Sequence, residues 1–146
     1  MKTYKYHIYH DLQINTTSER LFEAVSIPSE LEKWWPLHCT GIEEKHATYN
    51  FNFTEVYNWY GNVINYDPNV AFHIQMTESN EDWNSTIFGF DIEELDQEKV
   101  KLHFWHKNWQ QCNEEFKQAS FCWAMLLNGL KNYVEKGIII PFEKRE

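Results

Sequence analysis

The stretch NEEFKQASFCWAMLLNGLKNYVEKG, residues 113–137, decides the architecture. Phe116, Ala119, Trp123, Leu126, Leu127, Leu130, Tyr133 and Val134 recur three and four apart, while Glu114, Glu115, Lys117, Gln118, Lys131 and Glu135 fall mostly elsewhere. That period predicts an amphipathic helix from about Asn113 to Lys136. Gly137 supplies the stop and Pro141 confirms the exit. At 1.5 Å per residue such a helix spans about 36 Å, long enough to lie across a whole sheet.

Everything before it points to a sheet in need of that cover. Tyr4, Tyr6, Ile8, His10, Leu12 and Ile14 alternate with Lys5, His7, Tyr9, Asp11 and Gln13, so the even-numbered set predicts the inner face of a strand. The period then changes. Thr16-Thr17-Ser18-Glu19 has capping-box spacing ahead of a short helix to Ser26, and Ser29 to Glu32 repeats the device before Trp34, Trp35 and Pro36. Alternation returns in Tyr49-x-Phe51-x-Phe53, in Phe72-x-Ile74-x-Met76, in Phe88-x-Phe90-x-Ile92 and in Val100-x-Leu102-x-Phe104-x-His106, with a weaker candidate at Leu37 to Ile42. Between Val56 and Tyr66 the parity is ambiguous. Ile87 and Trp105 fall on the outer face, and no oligomeric state is readable from them. Consecutive strands joined by short turns are antiparallel, and only the final helix is long enough to cover their apolar face. The expectation is an α+β fold: a curved antiparallel sheet of six to seven strands wrapped around a long C-terminal helix, with two short helices after the first strand.

Composition narrows the function. The chain has 146 residues and a net charge of −9, so a broad grip on nucleic acid or anionic lipid is not expected. Its apolar runs, such as Gly137 to Ile140, are far short of the roughly 20 residues that span a bilayer, and no secretory leader is visible. A cytoplasmic protein of one domain, residues 1–146, is the economical expectation. Aromatic residues make up 17% of the chain, with ten Phe, eight Tyr and seven Trp; such rings either fill a core or line a small-molecule pocket. Cys39, Cys112 and Cys122 form no C-x-x-C pair and are expected to be reduced, small buried hydrophobes.

Ser18-Glu19-Arg20-Leu21-Phe22-Glu23-Ala24-Val25, followed by Pro28 to Trp35, resembles the N-terminal signature of the activator of heat-shock protein 90 ATPase homologue family. Asn62-Val63 before Asp67-Pro68, His106-Lys107-Asn108-Trp109, and Trp123-x-x-x-Leu127-x-x-Leu130-Lys131-x-Tyr133-Val134-Glu135-x-Gly137 are similar to its later landmarks. The family belongs to the START-like, or helix-grip, superfamily of lipid-transfer domains, pollen-allergen relatives and polyketide cyclases. The resemblance implies an internal hydrophobic cavity between sheet and long helix. It also implies a chaperone ATPase as an alternative partner; the family's eukaryotic co-chaperones carry a separate N-terminal domain that is not expected here, so a small apolar or aromatic ligand ranks first.

The candidate ligand-binding residues are the inward rings Phe51, Phe53, Phe72, Phe88, Phe90 and Phe104, with His106, Ser120, Trp123, Leu127 and Trp35. His106, alone among apolar inner-face neighbours, is either a satisfied core residue or the hydrogen-bond partner of a ligand. In a polyketide cyclase-like enzyme it would be the general base. Ser120, three residues before Trp123, is expected on the same stripe. Trp34 and Trp35 either close one end of the cavity or anchor the short helices. No nucleotide loop, zinc motif or nucleophile elbow is present, and neither His103 with His106 nor His38 with Cys39 shares a strand face. No catalytic residue, cofactor or metal is therefore assigned.

Overall fold

The computed structural model describes residues 5–145. Strand β1 (Tyr6–Ile14) is followed by helices α1 (Ser18–Ser26) and α2 (Pro28–Leu31). Then come β2 (His38–Thr40), β3 (Thr48–Asn52), β4 (Asn58–Asp67), β5 (Ala71–Glu78), β6 (Ile87–Asp96), β7 (Lys99–Trp109) and the long helix α3 (Glu114–Lys136), with a 3-10 turn at Phe142–Lys144. The strands form one sheet in the order β1-β7-β6-β5-β4-β3-β2, and every neighbouring pair is antiparallel. The first strand thus lies against the last, and all other neighbours are consecutive in the chain.

Local chemistry sets the element ends. Asn113 caps α3 by accepting the Phe116 N–H at 3.0 Å, and Gly137 ends it in the left-handed conformation at φ 70°. Two caps differ from expectation. The α1 cap is Thr17, whose Oγ1 accepts from the Arg20 N–H at 3.0 Å, because the Thr16 N–H is already turned onto the Ile14 carbonyl. Ser29 lies inside α2, not at its cap: Pro28 takes the first helical position, and the Ile27 carbonyl accepts from Glu30 and Leu31.

In β1 the even-numbered side is the inner one, with Ile8 and Ile14 buried and Tyr9, Asp11 and Gln13 exposed; Tyr4 lies outside the described residues. The uncertain parity of β4 has a physical source. The register shift at Val63/Asn65 places an extra residue, Ile64, in β4 and moves its side-chain alternation by one, whereas the shift at Tyr60/Gly61 places the extra residue, Thr77, in β5; such bulges also bend a sheet. The concave face meets α3 in an aromatic core, where Phe51, Phe72, Phe88, Phe90, Phe104, Trp109 and Trp123 are each at most 1% exposed.

On the outer face His103 of β7 bridges its neighbours, with Nδ1 2.9 Å from Asp11 of β1 and Nε2 2.9 Å from Glu93 of β6. The hydrogen bond to Glu93, helped by Asp11, raises the imidazole pKa above its ordinary 6.5. A raised folded value means that the contribution to stability is complete below about 6.5 and is lost as pH climbs through the folded pKa. His103→Asn is therefore expected to flatten the alkaline side of a stability curve measured by urea unfolding between about pH 6 and 8. Parallel curves for the two proteins would show that the bridge contributes nothing.

A groove at the end of the long helix

The space between sheet and helix is a groove of about 540 Å³ at the N-terminal half of α3. That helix presents Glu115, Gln118, Ala119, Cys122, Trp123 and Leu126. The β3–β4 connection adds Phe53, Thr54 and Tyr57, the start of β4 adds Trp59, the β5–β6 loop adds Asn80 and Trp83, and Trp35 follows α2. Phe142, Glu143 and Arg145 of the tail complete the wall.

Side-chain caps hold these loops. Thr54 Oγ1 accepts the Val56 and Tyr57 N–H groups at 3.2 and 3.0 Å, turning β3 into β4. Asn80 Oδ1 accepts the Trp83 N–H at 2.8 Å, and Asn84 Oδ1 accepts from Ser79 N and Oγ at 2.7 and 2.8 Å. This turn drives the Trp83 indole inward, 4.9 Å from the ring of Trp59 and 4.6 Å from that of His106.

Behind the groove runs a buried chain of hydrogen bonds. Indole is only a donor, so Trp123 Nε1–H gives to His106 Nδ1 at 3.0 Å, which fixes the imidazole as the Nε2–H tautomer. Nε2–H then donates to Thr86 Oγ1 at 2.8 Å, and the Thr86 hydroxyl donates to the Trp83 carbonyl at 2.6 Å. Burial pushes the His106 pKa down to about 3, so the ring is neutral at physiological pH. Both its nitrogens are engaged within the protein. His106 braces two groove walls, Trp123 directly and the Trp83 backbone through Thr86.

Of the expected site residues, Trp35, Phe53 and Trp123 line the groove. Phe51, Phe88 and Phe104 stand one ring behind, with Trp35–Phe51 centroids 4.9 Å apart and Trp123 5.7 and 4.4 Å from Phe88 and Phe104. Phe72, Phe90 and Leu127 are buried in the core away from it. Ser120 turns to β1, where its carbonyl lies 3.0 Å from His10 Nε2. Trp34 is tied to α1 by its Nε1–H donating to the Ala24 carbonyl at 2.9 Å. Tyr57, Trp59, Trp83, Glu115 and Arg145 are groove residues that the sequence reading passed over. A tryptophan inside the polar run 78–85 was the signal for Trp83, since a solvated loop has no use for an indole.

The cysteines divide. Cys39 is buried, and desolvation with nearby Glu32 pushes its thiol up to about 12; Cys122 is half-buried on the groove. Cys112 is exposed, against expectation, because it lies in the turn before α3. Among the described residues no group of three or more His, Cys, Asp or Glu side chains converges to hold a metal ion. Nor, among them, is any helix long and apolar enough to cross a membrane.

A curved antiparallel sheet closed over one long C-terminal helix, preceded by two short helices after the first strand, defines a helix-grip, START-like protein. Residues 15–135 match the model of the family described as activator of Hsp90 ATPase homolog 1-like protein, and the chain belongs to that family. No curated protein is a significant match. The solution structure of an Aha1 dimer from Colwellia psychrerythraea is similar at 25% identity and TM-score 0.82, over 91% of this chain and 98% of that one. A protein from Staphylococcus saprophyticus is 19% identical with TM-score 0.77, over 92% and 96% of the two chains. A Thalictrum norcoclaurine synthase point mutant, solved with a transition-state analogue, shares the fold at 12% identity and TM-score 0.65, over 92% and 97%.

Proposed function

We propose that this chain is one ligand-binding domain whose site is the groove beside α3, taking a small apolar or aromatic molecule. The observation that carries the reading is the groove itself: about 540 Å³, within the size range of small-molecule sites, walled by Trp35, Phe53, Tyr57, Trp59, Trp83 and Trp123. The core behind it is closed by rings, which concentrates the usable space at this one end. The helix-grip fold supports the reading in general terms. His106 acts here as a positioning residue, since its hydrogen bonds are made to Trp123 and Thr86. No catalytic step is assigned to it.

Titration with the neutral fluorophore N-phenyl-1-naphthylamine tests this. One equivalent is expected to bind and to quench tryptophan emission. Gln118→Trp, which places an indole at the exposed rim of the groove, is expected to weaken that binding by about tenfold, or 1.4 kcal/mol, without altering the unfolding midpoint. An unaffected affinity in that variant, or no binding by the parent protein, would reject the groove. Family membership also supports a second reading, regulation of a chaperone ATPase; a change in chaperone ATP turnover on mixing, in the absence of small-molecule binding, would place it first.

A further inference from the structure

We infer that the groove selects a hydrophobic organic cation, a small molecule carrying an ammonium group beside an apolar body. The inference rests on the groove being the binding site. Its wall is unusually rich in indoles: Trp35 and Trp123 have ring centroids 4.8 Å apart, Trp59 and Trp83 4.9 Å, and Trp83 and Trp123 6.1 Å. Aromatic faces carry the negative end of the ring quadrupole, and tryptophan attracts a cation most strongly among them.

Charge at the mouth points the same way. Glu115 enters from the first turn of α3, half-buried, with one carboxylate oxygen held 3.3 Å from Asn80 Nδ2. Glu143, exposed, adds a second carboxylate from the tail. Among the described residues neither carboxylate is in an ion pair. Among the described residues Arg145 is the one basic side chain on the wall; its charge is felt by Glu143, and its N–H groups are turned onto main chain. Nε donates to the Ile140 carbonyl at 2.8 Å, Nη1 to those of Glu32, Trp35 and Pro36 at 2.9, 3.3 and 3.3 Å, and Nη2 to that of Lys33 at 3.1 Å. A guanidinium has five N–H groups, so little of it is left for a ligand.

Nor does the buried chain offer the groove a donor, because Trp123 Nε1–H is spent on His106. The Trp83 indole N–H is left without a partner on this wall, but an anion entering would also meet two carboxylates, in a chain that already carries −9. A neutral hydrocarbon would fill the groove and leave the carboxylates unused. A cation uses the rings and the carboxylates together.

Three probes of one shape separate these cases: benzyltrimethylammonium, its uncharged carbon isostere neopentylbenzene, and the tetrahedral anion phenylmethanesulfonate. Each is titrated into the full chain at low salt, followed by tryptophan fluorescence and by calorimetry. The cation is expected to bind about tenfold more tightly than the hydrocarbon, and the anion not to bind. Glu115→Gln is expected to narrow the ratio of cation to hydrocarbon affinity by roughly threefold. Equal affinities for cation and hydrocarbon, or preference for the anion, would overturn cation selection while leaving the groove as a binding site. Failure of all three probes to bind would overturn both.

Discussion

Trp123→Ala is expected to lower folding stability by roughly 3–5 kcal/mol, the range for removing a large aromatic side chain from a packed core. Trp123 is 1% exposed, and its ring meets Phe104, Trp35 and Phe88 at centroid distances of 4.4, 4.8 and 5.7 Å. Truncation opens the floor of the groove and leaves the His106 Nδ1 lone pair buried without a donor. Trp123→Phe separates the two effects. It keeps most of the packing and loses the hydrogen bond, so its cost is expected near 1–3 kcal/mol, the penalty for an orphaned buried acceptor. Urea unfolding at neutral pH measures both. A loss below about 1 kcal/mol for the alanine variant would mean that the neighbouring rings collapse into the space, and that Trp123 does not organise this end of the core.

The fold was legible because its periods are long and uninterrupted. Eight apolar positions at helical spacing identify α3, and the strict alternation in β3, β5, β6 and β7 identifies their inner faces. Reading failed where tertiary pairing shifts the register, as in β4, where the extra residue Ile64 is defined by pairing with β5 and cannot be seen in β4 alone. The site was legible only where it coincides with the core. Parity correctly sends His106 inward, yet an inward side chain faces a neighbour as readily as a void, and here Trp123 and Thr86 occupy both its nitrogens. Ser120 shows the limit of helical spacing. Three residues turn the helix by about 300°, leaving a 60° offset from Trp123 that suffices to place Ser120 against β1. Most groove residues lie on connections: Tyr57, Asn80, Trp83 and Arg145 are brought together by turns and by a tail, and no local period records where packing leaves a space.

The buried imidazole should also be the strongest single source of acid sensitivity. In the unfolded chain His106 takes up its proton near pH 6.5, whereas in the fold burial holds it neutral down to about 3. Between those values the unfolded state binds one more proton, so this residue's contribution is complete above about 6.5 and drains away as pH falls. The limiting slope is about 1.36 kcal/mol per pH unit, which over the whole interval amounts to roughly 4–5 kcal/mol. Asp91, held low by its hydrogen bonds from His73 and Trp105, and Glu135, held low by Asn15 N–H and Lys131, lose stability in the same direction. His103, raised by Glu93 and Asp11, works the opposite way at higher pH. A difference measurement removes all three. In His106→Gln the side-chain amide retains an acceptor for Trp123 and a donor for Thr86 but does not titrate. The variant is expected to be less stable than the parent protein near neutrality, and the gap is expected to close as pH falls from about 7 to 4, because only the parent has a histidine to protonate on unfolding. Parallel stability curves would show that the imidazole takes up its proton as readily in the fold as in the unfolded chain, and would break the donor order from Trp123 through His106 to Thr86 on which the groove's two braced walls depend.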